Sequence, residues 1–461
     1  MTLIKSISGI RGTIGGAPGQ GLTPIDIVKF VSAFATFIAE AEHTEKQKFI
    51  VGRDARTSGD MVNKLVCGTL MGMGVDVLDV GLSTTPTVEM KVVSEKAQGG
   101  IILTASHNPG QWNALKLLNS KGEFISADDG AYVLEIAETN AIDYPEVENL
   151  GNYAEDERAI QEHIDAILDL PMVDVEMISK RSFHVVLDCV NSTGGIALPP
   201  LLKALGVKQI TELYCEPTGH FPHNPEPLPE NLKDIAETVK EEGADLGFVV
   251  DPDVDRLAIL TEKGDMFGEE YTLVAVADYI LNARPGNTVS NLSSTAALKD
   301  VTEQAGGKYF ASAVGEVNVV NLMKEVDAVI GGEGNGGVIY PELHYGRDAL
   351  VGIALFLTYL AKKDVSCSAL RASYPDYFIS KNKIELKPEI DVDAVIEAVG
   401  KAYSQHECIT VDGLKIIFDD SWVHLRKSNT EPIIRIYAES ASAKLADQLA
   451  HEVINKIQTL T

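Results

Sequence analysis

Residues 49–80 read FIVGRDARTSGDMVNKLVCGTLMGMGVDVLDV: a short apolar run, a polar turn, a longer periodic stretch and a second apolar run. Phe49 to Val51 has the length and composition of a buried strand, and the turn GRDARTSG ends it. Apolar residues then recur at helical spacing from Met61 to Met73, and Val75 to Val80 supplies the next strand. Strand, helix and strand in that order predict a β-α-β unit with parallel strands. Upstream, Thr23 can cap a helix that Pro24 suits, and Ile27, Phe30, Val31, Phe34 and Ile38 place one face of it in a core.

The same plan restarts at His184 to Asp188 followed by Asn191 to Gly195, and at Thr288 to Leu292 followed by Ser293 to Thr295. Each block later reaches a strand that runs into a polar or glycine-rich loop: Thr104 to Gly110, Asp251 to Arg256, and Gly331 to Gly337. After about Ala372 the pattern changes to amphipathic segments, Val392 to Ala402 and Ala443 to Ile457, around strands that include Leu414 to Phe418 and Ile433 to Tyr437. The expectation is α/β class: three related α/β domains, residues 1–152, 153–262 and 263–372, plus a smaller α+β domain, 373–461. Ligands of open parallel sheets gather beyond the carboxyl ends of the strands, so the three loops are expected to converge on a central cleft.

Length agrees with this division, since 461 residues exceed what one core serves. A formal net charge of −28 excludes nucleic acid and anionic membrane as principal partners, because both need a basic footprint. Anion binding in so acidic a chain has to come from a few placed Arg and Lys residues. Cys67, Cys189, Cys215, Cys367 and Cys408 are an odd, widely spaced set without a CxxC pair, which reads as reduced thiols. The start MTLIKSISGIRG lacks an apolar stretch of signal-peptide length, and no apolar run approaches a bilayer span. The expected location is the cytoplasm.

Four segments carry chemistry. In Thr104-Ala105-Ser106-His107-Asn108-Pro109-Gly110, Ser106 is a candidate phosphoryl acceptor with His107 beside it, although a capping serine in a turn reads the same way. In Asp251-Pro252-Asp253-Val254-Asp255-Arg256, three carboxylates at alternate positions point one way if the segment is extended, which suits a hard cation such as Mg²⁺; a solvated acidic turn is the alternative. In Gly331-Gly332-Glu333-Gly334-Asn335-Gly336-Gly337, Glu333 and Asn335 can hydrogen-bond sugar hydroxyls among glycines, unless the loop is merely flexible. In Arg426-Lys427-Ser428-Asn429-Thr430-Glu431-Pro432, with Arg435 beyond, guanidinium forks and hydroxyls can clamp a phosphate; a charged surface turn is the other reading.

TASHNP, DPDVDR, GEGNGG and RKSNTEP, in this order and at these intervals, resemble the signature loops of the α-D-phosphohexomutases. The resemblance extends to Gly9-Ile10-Arg11-Gly12, Gly52-Arg53-Asp54, Thr85-Pro86 and the stretch from Phe221 to Leu232. It implies four domains around one cleft, and a phosphorylated Ser106 that exchanges its phosphoryl with hexose phosphates through a 1,6-bisphosphate. It further implies Mg²⁺ held by Asp251, Asp253, Asp255 and the Ser106 oxygen, with hexose 1,6-bisphosphate as activator. Glu333, and less securely Asn335, would touch sugar hydroxyls. Arg426, Ser428, Asn429 and Thr430 would clamp the distal phosphate, and Arg11, His107 and Lys116 would surround the transferring group, Lys116 assisting proton transfer. Pro252 and Val254 stand where the family commonly has glycine, Asn335 where serine is more frequent, and Asn429 where glycine often occurs. The partner implied is a small sugar phosphate bound by a monomer or homodimer. The SISGIRG start and the GGEGNGGV loop look most like phosphoglucosamine mutases, with phosphoglucomutase/phosphomannomutase as the alternative.

Overall fold

Thr23 begins the first helix by reciprocal capping: Asp26 N donates to Thr23 Oγ1 and Thr23 N donates to Asp26 Oδ2 at 3.1 Å. With Pro24 in the first turn, the helix Pro24–Glu42 buries Ile27, Phe30, Val31, Phe34 and Ile38, the face expected from spacing. The structure, a computed structural model, describes all residues except 1, 7, 8, 45, 140, 386–389, 428–432 and 461. The chain forms two compact units, Met1–Thr272 with Asn335–Ala369, and Leu273–Gly334 with Leu370–Thr461.

In the first unit, one sheet runs in the order Leu3–Ser6, Gly9–Thr13, Trp112–Leu118, Gly99–Leu103, Lys48–Arg53, Asp76–Leu82, Tyr153–Glu155. Lys48–Arg53 lies parallel to both Asp76–Leu82 and Gly99–Leu103, with the helix Gly59–Gly72 as the crossover. The β-α-β reading of residues 49–80 is therefore the structure's own. The sheet is not wholly parallel, however, because Trp112–Leu118 runs antiparallel to Gly99–Leu103 and to Gly9–Thr13. That strand places Lys116 opposite Ile102.

A second sheet orders Leu257–Thr261, Leu246–Val250, His184–Asp188 and Gln209–Leu213, with Leu257–Thr261 antiparallel. Leu246–Val250 is buried along its whole length and ends at Asp251. The helix Ala349–Lys363 of the same unit is apolar around nearly all of its circumference and buried from Ala349 to Ala361. Among the described residues, no helix is long and apolar enough to cross a membrane.

In the second unit, Tyr309–Ser312, Asn287–Asn291 and Ala328–Glu333 form a parallel ladder. The glycine-rich segment is a loop only in part. Gly331, Gly332 and Glu333 complete a strand, since Gly331 leaves room for Met323, whose Sδ would lie 2.5 Å from a Cβ there. The C-terminal sheet is antiparallel, in the order Phe378–Glu385, Ile433–Ser440, Trp422–Lys427, Leu414–Ile417 and Glu407–Ile409. The helices Val392–Ala402 and Ala443–Leu460 share its core through Val395, Val399, Ala450, Val453 and Ile457, as the amphipathic spacing predicts.

Gly219 shows how closely the first unit's loops are packed. Its φ is +72°, and a Cβ would lie 1.9 Å from Ala55 O, beside the turn that carries Arg56. Gly219→Ala is expected to lower the unfolding free energy by about 1–3 kcal/mol through overpacking, with about 1 kcal/mol more from the left-handed backbone. Urea denaturation checks this, and an unchanged midpoint would mean that the Ala55 turn yields at no cost.

Candidate active site

Two strand ends and the interior of a third strand of the first unit deliver polar side chains to one place. Strand Gly99–Leu103 runs into Ser106, strand Leu246–Val250 into Asp251, and strand Trp112–Leu118 carries Lys116. Asp251, Asp253 and Asp255 are all buried, and each offers a carboxylate oxygen within 4.8 Å of the others. Their convergence comes from a turn and not from an extended segment, which corrects the sequence expectation. Val254 N donates to Asp251 O at 3.1 Å, and Val254 takes φ +63°, the conformation for which glycine is favoured. The turn is held from outside by Ser192 Oγ and Thr193 Oγ1, which donate to Pro252 O at 2.7 and 2.8 Å. Thr85 Oγ1 donates to Asp253 Oδ2 at 2.6 Å.

Ser106 adopts φ +49° in its loop. Arg56 holds that loop with one fully buried guanidinium. It donates to Asp54 Oδ2 at 2.9 Å, to Pro109 O at 2.7 Å, to Trp112 O at 3.1 Å, to Asn108 O at 2.6 Å and to Ser106 O. Asp54 in turn accepts from Thr104 Oγ1 at 2.6 Å, and Thr104 Oγ1 accepts from Ser106 N at 2.9 Å. So restrained, Ser106 Oγ donates to Asp251 Oδ2 at 2.7 Å and lies 3.3 Å from His107 Nδ1.

Two cations sit on the carboxylates. Lys116 Nζ donates to Asp253 Oδ2 at 2.7 Å and lies 3.4 Å from Asp255 Oδ2. Arg347 donates to Asp255 Oδ2 at 2.6 Å. Arg256 lies further off, its Nε 3.8 Å from Asp255 Oδ1. Burial and the neighbouring Asp255 and Asp253 push the Asp251 carboxyl well above its ordinary range. Burial opposes the Asp255 charge too, but Arg347, Lys116 and Arg256 outweigh it and hold that carboxyl below the usual value. For Lys116 the penalty of burial is outweighed by Asp253 and Asp255, so the ammonium keeps its proton at neutral pH. Burial, Arg256 and Arg11 drive His107 down to about 2, which leaves it a neutral imidazole.

The donor set fits a hard divalent cation on a feature of this structure. Asp253 Oδ1 and Asp255 Oδ1 are buried with no hydrogen-bond partner among the described residues, and carboxylate oxygens are the ligands Mg²⁺ takes. Arg11, on strand Gly9–Thr13, donates to Asn108 Oδ1 at 3.1 Å and so borders the Ser106 loop. Arg347 and Arg56 escaped the sequence reading. Arg56 lies inside the quoted polar turn, but nothing local says that its side chain will bind a loop some fifty residues away.

The remaining sequence-selected residues are placed as follows. In the second unit, buried Glu333 accepts from Asn291 Nδ2 at 2.9 Å and from Gly315 N at 3.2 Å. Asn335 belongs to the first unit, where its Oδ1 accepts from Gly337 N at 3.3 Å and stabilises the turn. Arg426 and Arg435 are register partners on adjacent strands, Arg426 pairing with Asp412 at 2.7 Å and Arg435 exposed. Ser428, Asn429 and Thr430 lie outside the described residues.

The His107 environment predicts a pH effect. Folded His107 resists protonation to about 2 whereas an unfolded histidine titrates near 6.5, so the unfolded chain gains a proton as pH falls through 6.5 and stability is lost in that direction. Between pH 8 and pH 5, His107→Gln should lose about 2 kcal/mol less unfolding free energy than the unaltered protein. Equal pH slopes in urea titrations would rule out a buried neutral imidazole.

Sequence models of the phosphoglucomutase/phosphomannomutase family match the chain in series: alpha/beta/alpha domain I over residues 3–142, domain II over 161–264, domain III over 268–377, and the C-terminal domain over 383–456. A phosphoglucomutase/phosphomannomutase of Thermococcus kodakarensis is 36% identical over 94% of this chain and 95% of its own. A phosphoglucosamine/phosphogalactosamine mutase of Sulfurisphaera tokodaii is 32% identical over 96% and 97%. The crystal structure of a phosphoglucomutase/phosphomannomutase family protein from Burkholderia thailandensis superposes with a TM-score of 0.85 at 25% identity, covering 99% of this chain and 97% of that one. A serine on a buried carboxylate cluster, in a chain similar to these proteins along nearly its whole length, is that of a phosphohexomutase, and the chain belongs to the phosphoglucomutase/phosphomannomutase family.

Proposed function

We propose that the chain interconverts hexosamine 6-phosphate and 1-phosphate, glucosamine phosphate first, with Ser106 as the phosphoryl carrier. The observation that carries the assignment of Ser106 is its Oγ, 2.7 Å from Asp251 Oδ2 in a cluster of three buried carboxylates. A divalent cation held by Asp251, Asp253, Asp255 and the serine oxygen would neutralise charge on the transferring group. The four segments matched by the family models support a four-domain reading, which we divide at residues 152, 262 and 372.

In this reading, the P–O bond to phosphorylated Ser106 breaks as a new P–O bond forms to the free hydroxyl of a bound hexose monophosphate. Lys116, protonated at neutral pH, gives a proton to the departing Ser106 oxygen. The incoming hydroxyl's proton restores the Lys116 ammonium, the neutral His107 imidazole stays beside Ser106 Oγ, and Arg11 and Arg256 offset charge around the group. The sugar 1,6-bisphosphate then turns and returns its other phosphoryl to Ser106, reversing both proton transfers. Glu333 would receive sugar hydroxyls, and Arg426, Ser428, Asn429, Thr430 and Arg435 the distal phosphate. Hexose 1,6-bisphosphate would activate by rephosphorylating an empty Ser106.

A second reading, glucose and mannose phosphates as substrates, is favoured by the relative from Thermococcus kodakarensis. Conversion of glucosamine, glucose and mannose 1-phosphates, measured side by side, decides between them. A kcat/KM at least tenfold higher for the amino sugar is expected, and a preference for glucose or mannose would replace the hexosamine assignment. Ser106→Ala should lower turnover by at least about 10⁴-fold. It should also abolish acid-stable labelling by ³²P-substrate without changing the thermal midpoint. Retained labelling would move the carrier elsewhere.

A further inference from the structure

The first unit holds a second cluster that phosphoryl transfer does not use. His163 Nε2 and His344 Nε2 both face Asp348 Oδ2, at 2.9 and 3.3 Å. Ligand atoms of these three residues all fall within 4.8 Å of one another. The far nitrogen of each imidazole also has a partner: His163 Nδ1 lies 2.9 Å from Thr87 Oγ1, and His344 Nδ1 lies 3.4 Å from Glu89 Oε2. The other oxygen of Asp348 accepts from Leu350 N and Val351 N at the start of helix Ala349–Lys363. His163, Glu89 and Asp348 are buried, and the His344 side chain is 9% exposed. Gly346 lets the chain pass close to this cluster, since a Cβ there would lie 1.8 Å from Glu89 Oε2.

His344 has a carboxylate oxygen facing each of its ring nitrogens. A neutral imidazole can donate from only one, so the second must carry an electrophile, either a proton or a metal ion. Tetrahedral zinc with bonds of about 2.0–2.1 Å sets its ligand atoms about 3.3 Å apart, close to the separations that meet at Asp348 Oδ2. Outer partners on both far nitrogens are the arrangement that fixes metal-binding histidines. Two imidazoles and one carboxylate select a borderline ion over the hard ions that an all-oxygen set prefers.

We infer that His163, His344 and Asp348 form a second metal site for a zinc-class divalent ion, with Glu89 and Thr87 orienting the two imidazoles. Binding releases the Nε2 proton of His344 and shifts the His163 proton from Nε2 to Nδ1, where Thr87 Oγ1 accepts it, while the His344 Nδ1 proton stays facing Glu89 Oε2 at 3.4 Å. The ligands and their supports come from helix Thr85–Ser94, helix Ala159–Leu168 and the turn before helix Ala349–Lys363. These lie in three segments matched to different family domains, so the ion would bridge domains II and III directly, with domain I supplying the outer partners, all within one compact unit. The residue next to Asp348 is Arg347, whose guanidinium holds Asp255. The site is therefore placed to fix that arm without touching substrate.

The full-length protein, stripped with chelator and dialysed, is titrated with Co²⁺ and followed by visible absorption, with Zn²⁺ competition. Asp253→Asn is carried alongside so that the all-oxygen site is separated from this one. One equivalent with the intense bands of four- or five-coordinate cobalt is expected in both proteins, displaced by Zn²⁺. The bands should vanish in His163→Gln and His344→Gln, and Glu89→Gln should weaken binding about 10–100-fold. No such bands in either the unaltered protein or Asp253→Asn overturns the proposal and leaves a proton on His344. Bands that persist unchanged in His163→Gln, should His344→Gln not fold, overturn it as well.

Discussion

Three carboxylates buried within 4.8 Å of one another are the constraint around which the first unit is organised. At an effective dielectric of about 20, each pair of charges at that distance repels by about 3 kcal/mol. The protein offsets this with Lys116 and Arg347 placed directly on the oxygens, and with Arg256 nearby. Each cation arrives from a different part of the chain: a strand antiparallel to the serine-bearing strand, the turn before a buried helix, and the carboxylate turn itself. The antiparallel strand Trp112–Leu118 and the buried helix Ala349–Lys363 are therefore electrostatic requirements as much as packing elements. Removing either would leave uncompensated charge inside the protein.

A second constraint is the backbone at Ser106. A serine in the left-handed region is sustained only if its surroundings leave no alternative. Arg56 supplies that by binding several carbonyls of the loop with one guanidinium, while Asp54 binds Thr104, which in turn binds Ser106 N. Ser106 is held because its carbonyl and amide are both occupied. Its Oγ is left to Asp251 and His107, an arrangement preorganised in the way the proposed phosphoryl transfer would need.

The second unit follows a different economy. Glu333 is anchored by Asn291 and Gly315, and the paired strands around Arg426 and Arg435 bring two guanidinium-bearing residues into register. In a chain of net charge −28, two guanidinium-bearing residues in register stand against the overall acidic balance, although Arg426 is itself paired with Asp412.

The sequence by itself determined the β-α-β unit at residues 49–80, the capped first helix and the amphipathic helices of the C-terminal sheet, and it singled out Ser106 and the three aspartates, which the structure brings together. Those features rest on periodicity, capping chemistry and short motifs, which are local and so survive in one dimension. Only the tertiary structure decided how the aspartates meet, through a turn with Val254 at positive φ where alternation along an extended segment was expected. Only it turned Gly331 to Glu333 into strand, gave Lys116 its own strand, and brought Arg56, Arg347 and the His163–His344–Asp348 cluster to their partners. Apart from His344 and Asp348, which are four residues apart, those partners stand 50 to 185 residues apart in the chain. The physical reason is that a side chain's charge or hydrogen-bonding capacity is written in its residue type, whereas its partner is chosen by packing among elements that no local pattern relates.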